Sequence, residues 1–478
     1  MKNQASAIPI GKRVEADSMG EMLVPEGALW GASTERAVQN FPISSLRFGR
    51  SFIKALSLIK LSAARANLAA GDLDSTTAAA IISACLEAAS GSLDDHFVVD
   101  IFQTGSGTST NMNANEVIAS RARQLLGKSI SERNLVHPND HVNMGQSSND
   151  VIPTAIHLAV IIECKEVLIP ALQSLSKALG KKARSFAKVI KTGRTHLQDA
   201  TPVTLGQEFA GYKVQVDGAL KKLKQELKAL SHVTLGGTAV GTGINTRKEF
   251  ARETLTELSK VLGFKVQETK NHLQAQGSID ELVQASGVLQ TLATSLLKIV
   301  MDIRWMASGP RSGIAELLLP TVQPGSSIMP GKVNPVICES TMQVCFKVLG
   351  NCQTVIYSTQ ASNFELNVAL PVVAHSLLES ITLLGRAVQN FELKCIEGLT
   401  ATKNGPALVE RGLALCTALA PEIGYDKAAK IAKEADQTGE TIFAVALRQS
   451  GLSEARLKEI LDPFAMTRPG ASSGKKGD

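Results

Sequence analysis

The chain has 478 residues, 44% of them hydrophobic and 20% charged, which suits roughly two to four soluble domains with a large buried core. Its 50 Lys and Arg stand against 44 Asp and Glu, and the net charge of +6 favours an anionic small molecule. There is no basic block interleaved with aromatics, which argues against nucleic acid as a partner. Aromatics make up only 4%, so Ala, Leu, Val and Ile must fill the interior, as close helix packing requires. Seven cysteines (Cys85, Cys164, Cys338, Cys345, Cys352, Cys395 and Cys416) form no CxxC pair and are odd in number. They read as buried thiols in a reducing compartment. The opening MKNQASAIPIGKRVEADSMG has no apolar leader pattern, and no run of about 18 uncharged apolar residues occurs. The compartment predicted is the cytoplasm, although a matrix protein trimmed of its presequence would look the same.

Residues 1 to about 50 mix turn signals with short apolar runs and are predicted as an extended segment. From Ser51, apolar residues recur at helical spacing as far as Gly71, and a second helix follows Asp74-Ser75 to about Gly91. The polar loop FQTGSGTSTNMNANEV feeds a helix through about Leu126, and HPNDHVNMGQSSND forms another polar loop from His137 to Asp150. Beyond it the helical patterns lengthen, at about 151–190, 202–231, 276–307, 335–360 and 365–396. Each exceeds the usual helix of about 11–12 residues, and together they predict a long bundle. Pro153 reads as a first-turn proline and Pro170 as a kink. Two polar, glycine-bearing segments intervene: KTGRTHLQDATPVTLGQE and HVTLGGTAVGTGINT. After Ala401 the helices shorten, and the tail GASSGKKGD is predicted to be disordered. Nothing alternates with period two over several segments, so a strand-based fold is not expected.

The segment GSSIMPGKVNP, Gly325 to Pro335, places two hydroxyls, two loop glycines, a cation and an amide before an apolar helix. It can hold an anion on backbone N–H groups, or it can be an ordinary connecting loop. It is not a nucleotide P-loop: five residues separate Gly325 from Gly331, and Val333 follows the lysine where Ser or Thr is required. GGTAVGTG does not fit the dinucleotide fingerprint. His137 and His141 have metal-ligand spacing but lack the glutamate of HExxH, and no metal is expected. His157 and His375 in apolar helices read as core histidines. His196, in GRTHLQDATP before a helix, is either a general acid or base or a loop hydrogen-bonder. Glu339, early in the next helix, can orient an imidazole or simply favour the helix dipole. GSGTSTNMN and GQSSND can supply neutral donors to a carboxylate ligand, or cap helices, with Asn149 and Asp150 in cap positions.

Taken together, these blocks resemble the fumarase/aspartase superfamily and, within it, the class II fumarases. The resemblance runs from VEADSMGEMLVPEGALWGAST to IGYDKAAKIAKEA. It rests on GSGTSTNMNANE, on GQSSND with GRTHLQDATPVTLGQEF, and on GSSIMPGKVNP. The GKVNP ending and the histidine of GRTH favour the fumarase branch, since aspartases usually carry glutamine at that position.

The resemblance implies a mostly α fold of three domains: 1–146, a central bundle of five long helices over 147–403, and a small C-terminal domain over 404–478. It implies a homotetramer with a twenty-helix core and active sites shared by three subunits. The implied reaction is reversible anti hydration of fumarate to (S)-malate through an aci-carboxylate, without a cofactor. Carried over by motif, Ser326 is the base, and Lys332 and Asn334 bind the carboxylate that accepts charge. His196, paired with Glu339, is the acid at the leaving hydroxyl. Ser106, Thr108, Ser147, Ser148, Asn149 and Thr195 hold the substrate carboxylates and position the water. A second dicarboxylate site is implied at His137, Asn139 and Asp140, but the chain has Asn134 where the family often has a basic residue, with Arg133 one place earlier. The alternatives are an aspartate ammonia-lyase and, in another class, a non-catalytic helical oligomer.

Overall fold

The computed structural model describes residues 10–470, so the tail predicted to be disordered falls, from residue 471 on, outside the described residues. A hairpin of β1 (Lys12–Asp17) and β2 (Gly20–Pro25) replaces part of the extended segment expected at the start. There follow α1 (Ala32–Asn40), α2 (Arg50–Ala70), α3 (Ser75–Ser90), α4 (Thr108–Leu125), α5 (Ser148–Glu163) and α6 (Ile169–Ser185). Next come β3 (Ile190–Thr195), β4 (Gln198–Thr204), α7 (Leu205–Ala229), α8 (Phe250–Leu262) and the short α9 (His272–Gly277). The chain continues through α10 (Asp280–Met306), α11 (Val336–Ser358), α12 (Leu370–Phe391) and five short helices from Asn404 to Ile460.

The fold is mostly helical, and the five long patterns are present. A π-turn over Cys164–Leu168 makes α5 and α6 one continuous helix, and α7, α10, α11 and α12 are the other four. Pro170 stands just beyond that turn, where its missing N–H favours an irregular ladder. Pro153 is not the first-turn proline expected: it is the sixth residue of α5. The strands are short, and among the described residues they form five two-stranded sheets.

Two compact units divide the chain: Met1–Ile169, Lys221–Thr291 and Lys347–Leu383 in one, and Pro170–Leu220, Leu292–Phe346 and Leu384–Asp478 in the other. In the first unit, 14 of the 21 residues of α2 are buried, which makes it a central helix surrounded on nearly all sides. It ends at Gly71, whose φ of 81° lets its N–H reach back to Asn67 and Leu68 carbonyls. Asp74 caps α3 by accepting from the N–H groups of Thr76 and Thr77. Small residues such as Ala55, Ala63, Ala78 and Ala84 are fully buried in α2 and α3, so these backbones approach closely. In the second unit, Leu419, Ile431, Val445 and Leu457 form part of a separate C-terminal core. Each such side chain contributes about 1.5–3 kcal/mol by leaving water.

Among the described residues, only Asp280–Met306 is long and apolar enough to pass a composition test for membrane spanning. Its Leu292, Leu296, Ile299 and Ile303 are buried inside the fold, as a core helix requires.

Candidate active site

The predicted residues fall into four constellations, two in the first unit and two in the second. In the first unit, hydroxyls line up across the starts of α4 and α5: Ser106 Oγ lies 2.8 Å from Thr108 Oγ1, which lies 2.7 Å from Ser148 Oγ. Glycines make this approach possible. A Cβ on Gly105 would sit 1.8 Å from the Val368 carbonyl oxygen, and Gly107 enters α4 with φ of 74° against Ile152. Ser147, rather than Asn149 or Asp150, caps α5. Its Oγ accepts the Asn149 N–H at 3.2 Å, while Asp150 Oδ1 accepts the Ser147 N–H at 2.9 Å, a capping box. Asn149 donates its amide to the Ala239 carbonyl at 2.8 Å.

The same unit carries Asn139 and Asp140 on a π-turn over Pro138–Val142, with His137 as its N-cap. His137 Nδ1 accepts the N–H groups of Asn139 (3.3 Å) and Asp140 (3.2 Å), which requires that nitrogen to be unprotonated. Burial lowers the His137 pKa, against the opposing pull of Asp140, whose Oδ2 is 3.0 Å away. Arg133 is engaged with the Ala16 carbonyl.

In the second unit, His196 stands at the tip of the β3–β4 hairpin, not in a simple loop leading into a helix. Both His196 (φ 58°) and Leu197 (φ 60°) are left-handed, and Thr195 pairs with Gln198 across the turn. Thr195 and His196 are both exposed. The hairpin is irregular at Thr192/Gly193, and a Cβ on Gly193 would meet the Thr201 carbonyl oxygen at 2.5 Å.

Beneath the tip, buried Glu316 accepts from Arg194 Nη1 at 2.9 Å and lies 3.6 Å from Lys191 Nζ. Lys191 also donates to Glu208 at 2.9 Å. Burial raises the Glu316 pKa while the two cations pull it down. Removing one member of such a buried cluster costs about 3–5 kcal/mol, because it strands its partners.

The loop from Gly325 to Pro335 has its own internal frame. Ser326 Oγ accepts the N–H groups of Ile328 at 3.2 Å and Met329 at 2.9 Å. The Lys332 N–H closes a turn on the Met329 carbonyl at 3.2 Å through Pro330 and Gly331, the latter with φ of 79°. The Asn334 amide donates to the Gly325 carbonyl, tying the loop at its base. Lys332 is exposed. Glu339, in the first turn of α11, lies 4.0 Å from Arg304. Within the single chain no hydrogen bond or ion pair among the described residues joins His196 to Glu339. Chemically, the loop offers an oxygen on two N–H donors with a cation six residues on, an arrangement suited to proton abstraction beside a carboxylate.

The family profile described as "Lyase" matches residues 20–350, and that described as "Fumarase C C-terminus" matches residues 415–468. The class II fumarate hydratase of Halobacterium salinarum is 50% identical over 97% of this chain and 98% of its own length. The chain belongs to the class II fumarate hydratase family. The "Fumarate hydratase class II 2" of Bradyrhizobium diazoefficiens is 48% identical over 96% of this chain and 97% of its own. The crystal structure of the class II fumarase from Schistosoma mansoni superposes with a TM-score of 0.93 at 38% identity, covering 96% of this chain and all of that one.

Sequence reasoning missed several residues on which this fumarate hydratase frame rests. Asp150, read in the sequence only as a helix cap, is fully buried, and its Oδ2 accepts the N–H groups of Gly236 and Thr238, each at 2.9 Å. The S-x-x-D spacing from Ser147 was the available signal for its capping half. Glu316 and Lys191 carried no local signal, since their pairing joins segments far apart in sequence. His157 is a satisfied core histidine as expected, with Nδ1 3.1 Å from the Leu230 carbonyl oxygen.

Proposed function

We propose that this chain catalyses the reversible anti hydration of fumarate to (S)-malate as a hydro-lyase, with Ser326 as the base. The observation that carries this reading is the pair of backbone N–H groups on Ser326 Oγ, at 2.9 and 3.2 Å. A free serine is a feeble base, and donors preorganised on its oxygen stabilise the oxyanion it must become. In the malate direction Ser326 takes the C3 proton, and the electron pair flows into the adjacent carboxylate as an aci-carboxylate. Lys332 and Asn334 hold that charge. The C2–O bond then breaks, and the departing hydroxyl takes a proton from His196 and leaves as water. Glu339 supports the charged imidazole.

The row Ser106, Thr108 and Ser148, with Ser147, Asn149 and Thr195, holds the substrate carboxylates. His137, Asn139 and Asp140 form a second dicarboxylate site. The engagement of Arg133 with Ala16 supports a weaker site there than a free cation would give.

The assembly is a homotetramer whose active sites draw on three subunits, in the cytoplasm, and each chain has three domains meeting near residues 146 and 403. Exposed apolar side chains on the long helices, among them Val214 (68% exposed), Phe346 (53%) and Tyr357 (66%), support burial against other copies. The placement of His196 on an exposed hairpin tip, unbonded to Glu339 in its own chain, supports a site completed between chains.

An ammonia-lyase expels an amine that already carries its proton and has little need of an acid at His196. The test gives purified protein malate or aspartate and follows fumarate by its ultraviolet absorbance. Malate should yield fumarate; fumarate from aspartate but not from malate would overturn the proposal.

A further inference from the structure

Lys60 lies in the middle of α2 with no exposed surface, an environment in which an ammonium is costly unless its protons are taken up. Its Nζ donates to two side-chain carbonyls, Asn143 Oδ1 and Gln146 Oε1, each at 3.1 Å. Both acceptors belong to the segment that runs from the π-turn into α5, directly before Ser147, Ser148 and Asn149. Asn143 is in turn bound by the Asn111 amide of α4 at 3.2 Å, and Gln146 donates onward to the carbonyls of Val142 and Met144. The Asp150 carboxylate, electrostatically coupled to Lys60, grips the N–H groups of Gly236 and Thr238. One buried amino group thus ties together the GSGTSTNMN helix and the GQSSND turn, and Asp150 at the start of α5 holds the glycine-rich GGTAVGTG segment.

We propose that Lys60 is a positioning residue for substrate binding: through Asn143 and Gln146 it fixes the turn that presents Ser147, Ser148 and Asn149 to a substrate carboxylate. The proposal rests on the carboxylate-binding role given to that turn under the proposed function. Lys60 touches no substrate and moves no proton in the reaction. Because the turn grips the same carboxylate in the ground state and the transition state, loosening it weakens both equally, so KM rises and kcat is largely kept. A merely structural lysine behaves differently: its loss lowers the active fraction, so kcat falls at constant KM.

The test compares the full-length enzyme with Lys60→Met, Gln146→Met and Asn149→Ala in steady-state malate dehydration. Lys60→Met is expected to raise KM about tenfold with kcat within about twofold, and Gln146→Met to raise it about threefold. The Lys60→Met/Asn149→Ala double variant should show a KM well below the product of the two single effects, since both act through one turn. If Lys60→Met does not fold, Gln146→Met decides. If Asn149→Ala raises KM while Lys60→Met and Gln146→Met do not, or if these two lower kcat at unchanged KM, the positioning role is overturned. If Asn149→Ala leaves KM unchanged, the carboxylate-binding reading itself falls, and the role of Lys60 falls with it.

Discussion

Thr108 Oγ1 and Ser148 Oγ lie 2.7 Å apart, so the first residues of α4 and α5, forty positions apart in sequence, share one hydrogen bond. Two helix starts therefore meet at one small region, where an anion is favoured by the helix dipoles and by the hydroxyls. Thr108→Val keeps the shape but removes the hydroxyl shared by Ser106 and Ser148. We expect the KM for malate to rise roughly ten- to a hundredfold, the scale of one lost charge-assisted hydrogen bond of about 1.5–3 kcal/mol. An unchanged KM in steady-state kinetics would remove the hydroxyl row from the carboxylate site.

Ser326→Ala takes away the oxygen on which the Ile328 and Met329 N–H groups converge. The expected loss in kcat is about 10²–10⁴-fold, the usual contribution of a positioned acid or base. Dicarboxylate binding, measured by calorimetry, should survive. Turnover near the parent value would exclude Ser326 as the base.

Gly325→Ala tests the frame of the loop apart from its chemistry. The new Cβ would stand 2.2 Å from the Lys332 carbonyl oxygen and 2.8 Å from the Asn334 nitrogen, both backbone atoms that cannot swing aside. The tie from Asn334 to Gly325 must open, displacing Lys332 and Asn334 from any common carboxylate. We expect kcat/KM to fall at least about a hundredfold, in line with the cost of a misplacement of about 1 Å. The melting temperature should barely move, because Ile328, Met329 and Val333 in this loop are already exposed. Full activity would show that the closed frame is dispensable.

Burial lowers the Lys60 pKa from 10.5 to about 7, with Cys85 and Asp150 opposing the shift. The sign follows from proton counting. Between pH 7 and 10.5 the unfolded chain holds a proton on Lys60 that the folded chain has largely released, so this group's contribution to stability grows as pH rises. It is lost as pH falls through about 7. Of the groups facing Lys60, Cys85 is pushed up to about 12 and Asp150 is raised, both chiefly by burial and both held down in part by Lys60, so Lys60→Met raises each further. The difference in thermal midpoint between parent and variant should therefore shift in favour of the parent from about pH 7 to about pH 9. A difference independent of pH would show that Lys60 is not perturbed in the folded protein.

Much of the architecture was legible because helical periodicity is a local property. The five long helices were read from apolar spacing, and their observed ends lie within a few residues of those expected for most of them. The β3–β4 hairpin was not, because six- and seven-residue strands rich in Thr, Lys and polar residues carry no clear alternation. Its existence depends on pairing with each other and on the Glu316 cluster below. The Ser147 cap was visible in principle, but the neighbouring Asn149 and Asp150 are equally good caps in isolation. The fold makes the cap reciprocal: Asp150 turns Oδ1 back onto the Ser147 N–H while its Oδ2 holds Gly236 and Thr238.

By itself the sequence determined the helical class, the long bundle pattern, the absence of a nucleotide fingerprint, and the polar blocks in which the chemistry is sought. These are carried by residue types at short spacing, where backbone geometry allows few outcomes. Tertiary structure alone decided that Ser326 would receive two N–H groups, that Thr108 would meet Ser148, and that Lys60 would be buried against the turn leading into α5. Each of these depends on a chain reversal or on contacts between distant segments, whose geometry is set by packing and by the few conformations that satisfy every buried polar group.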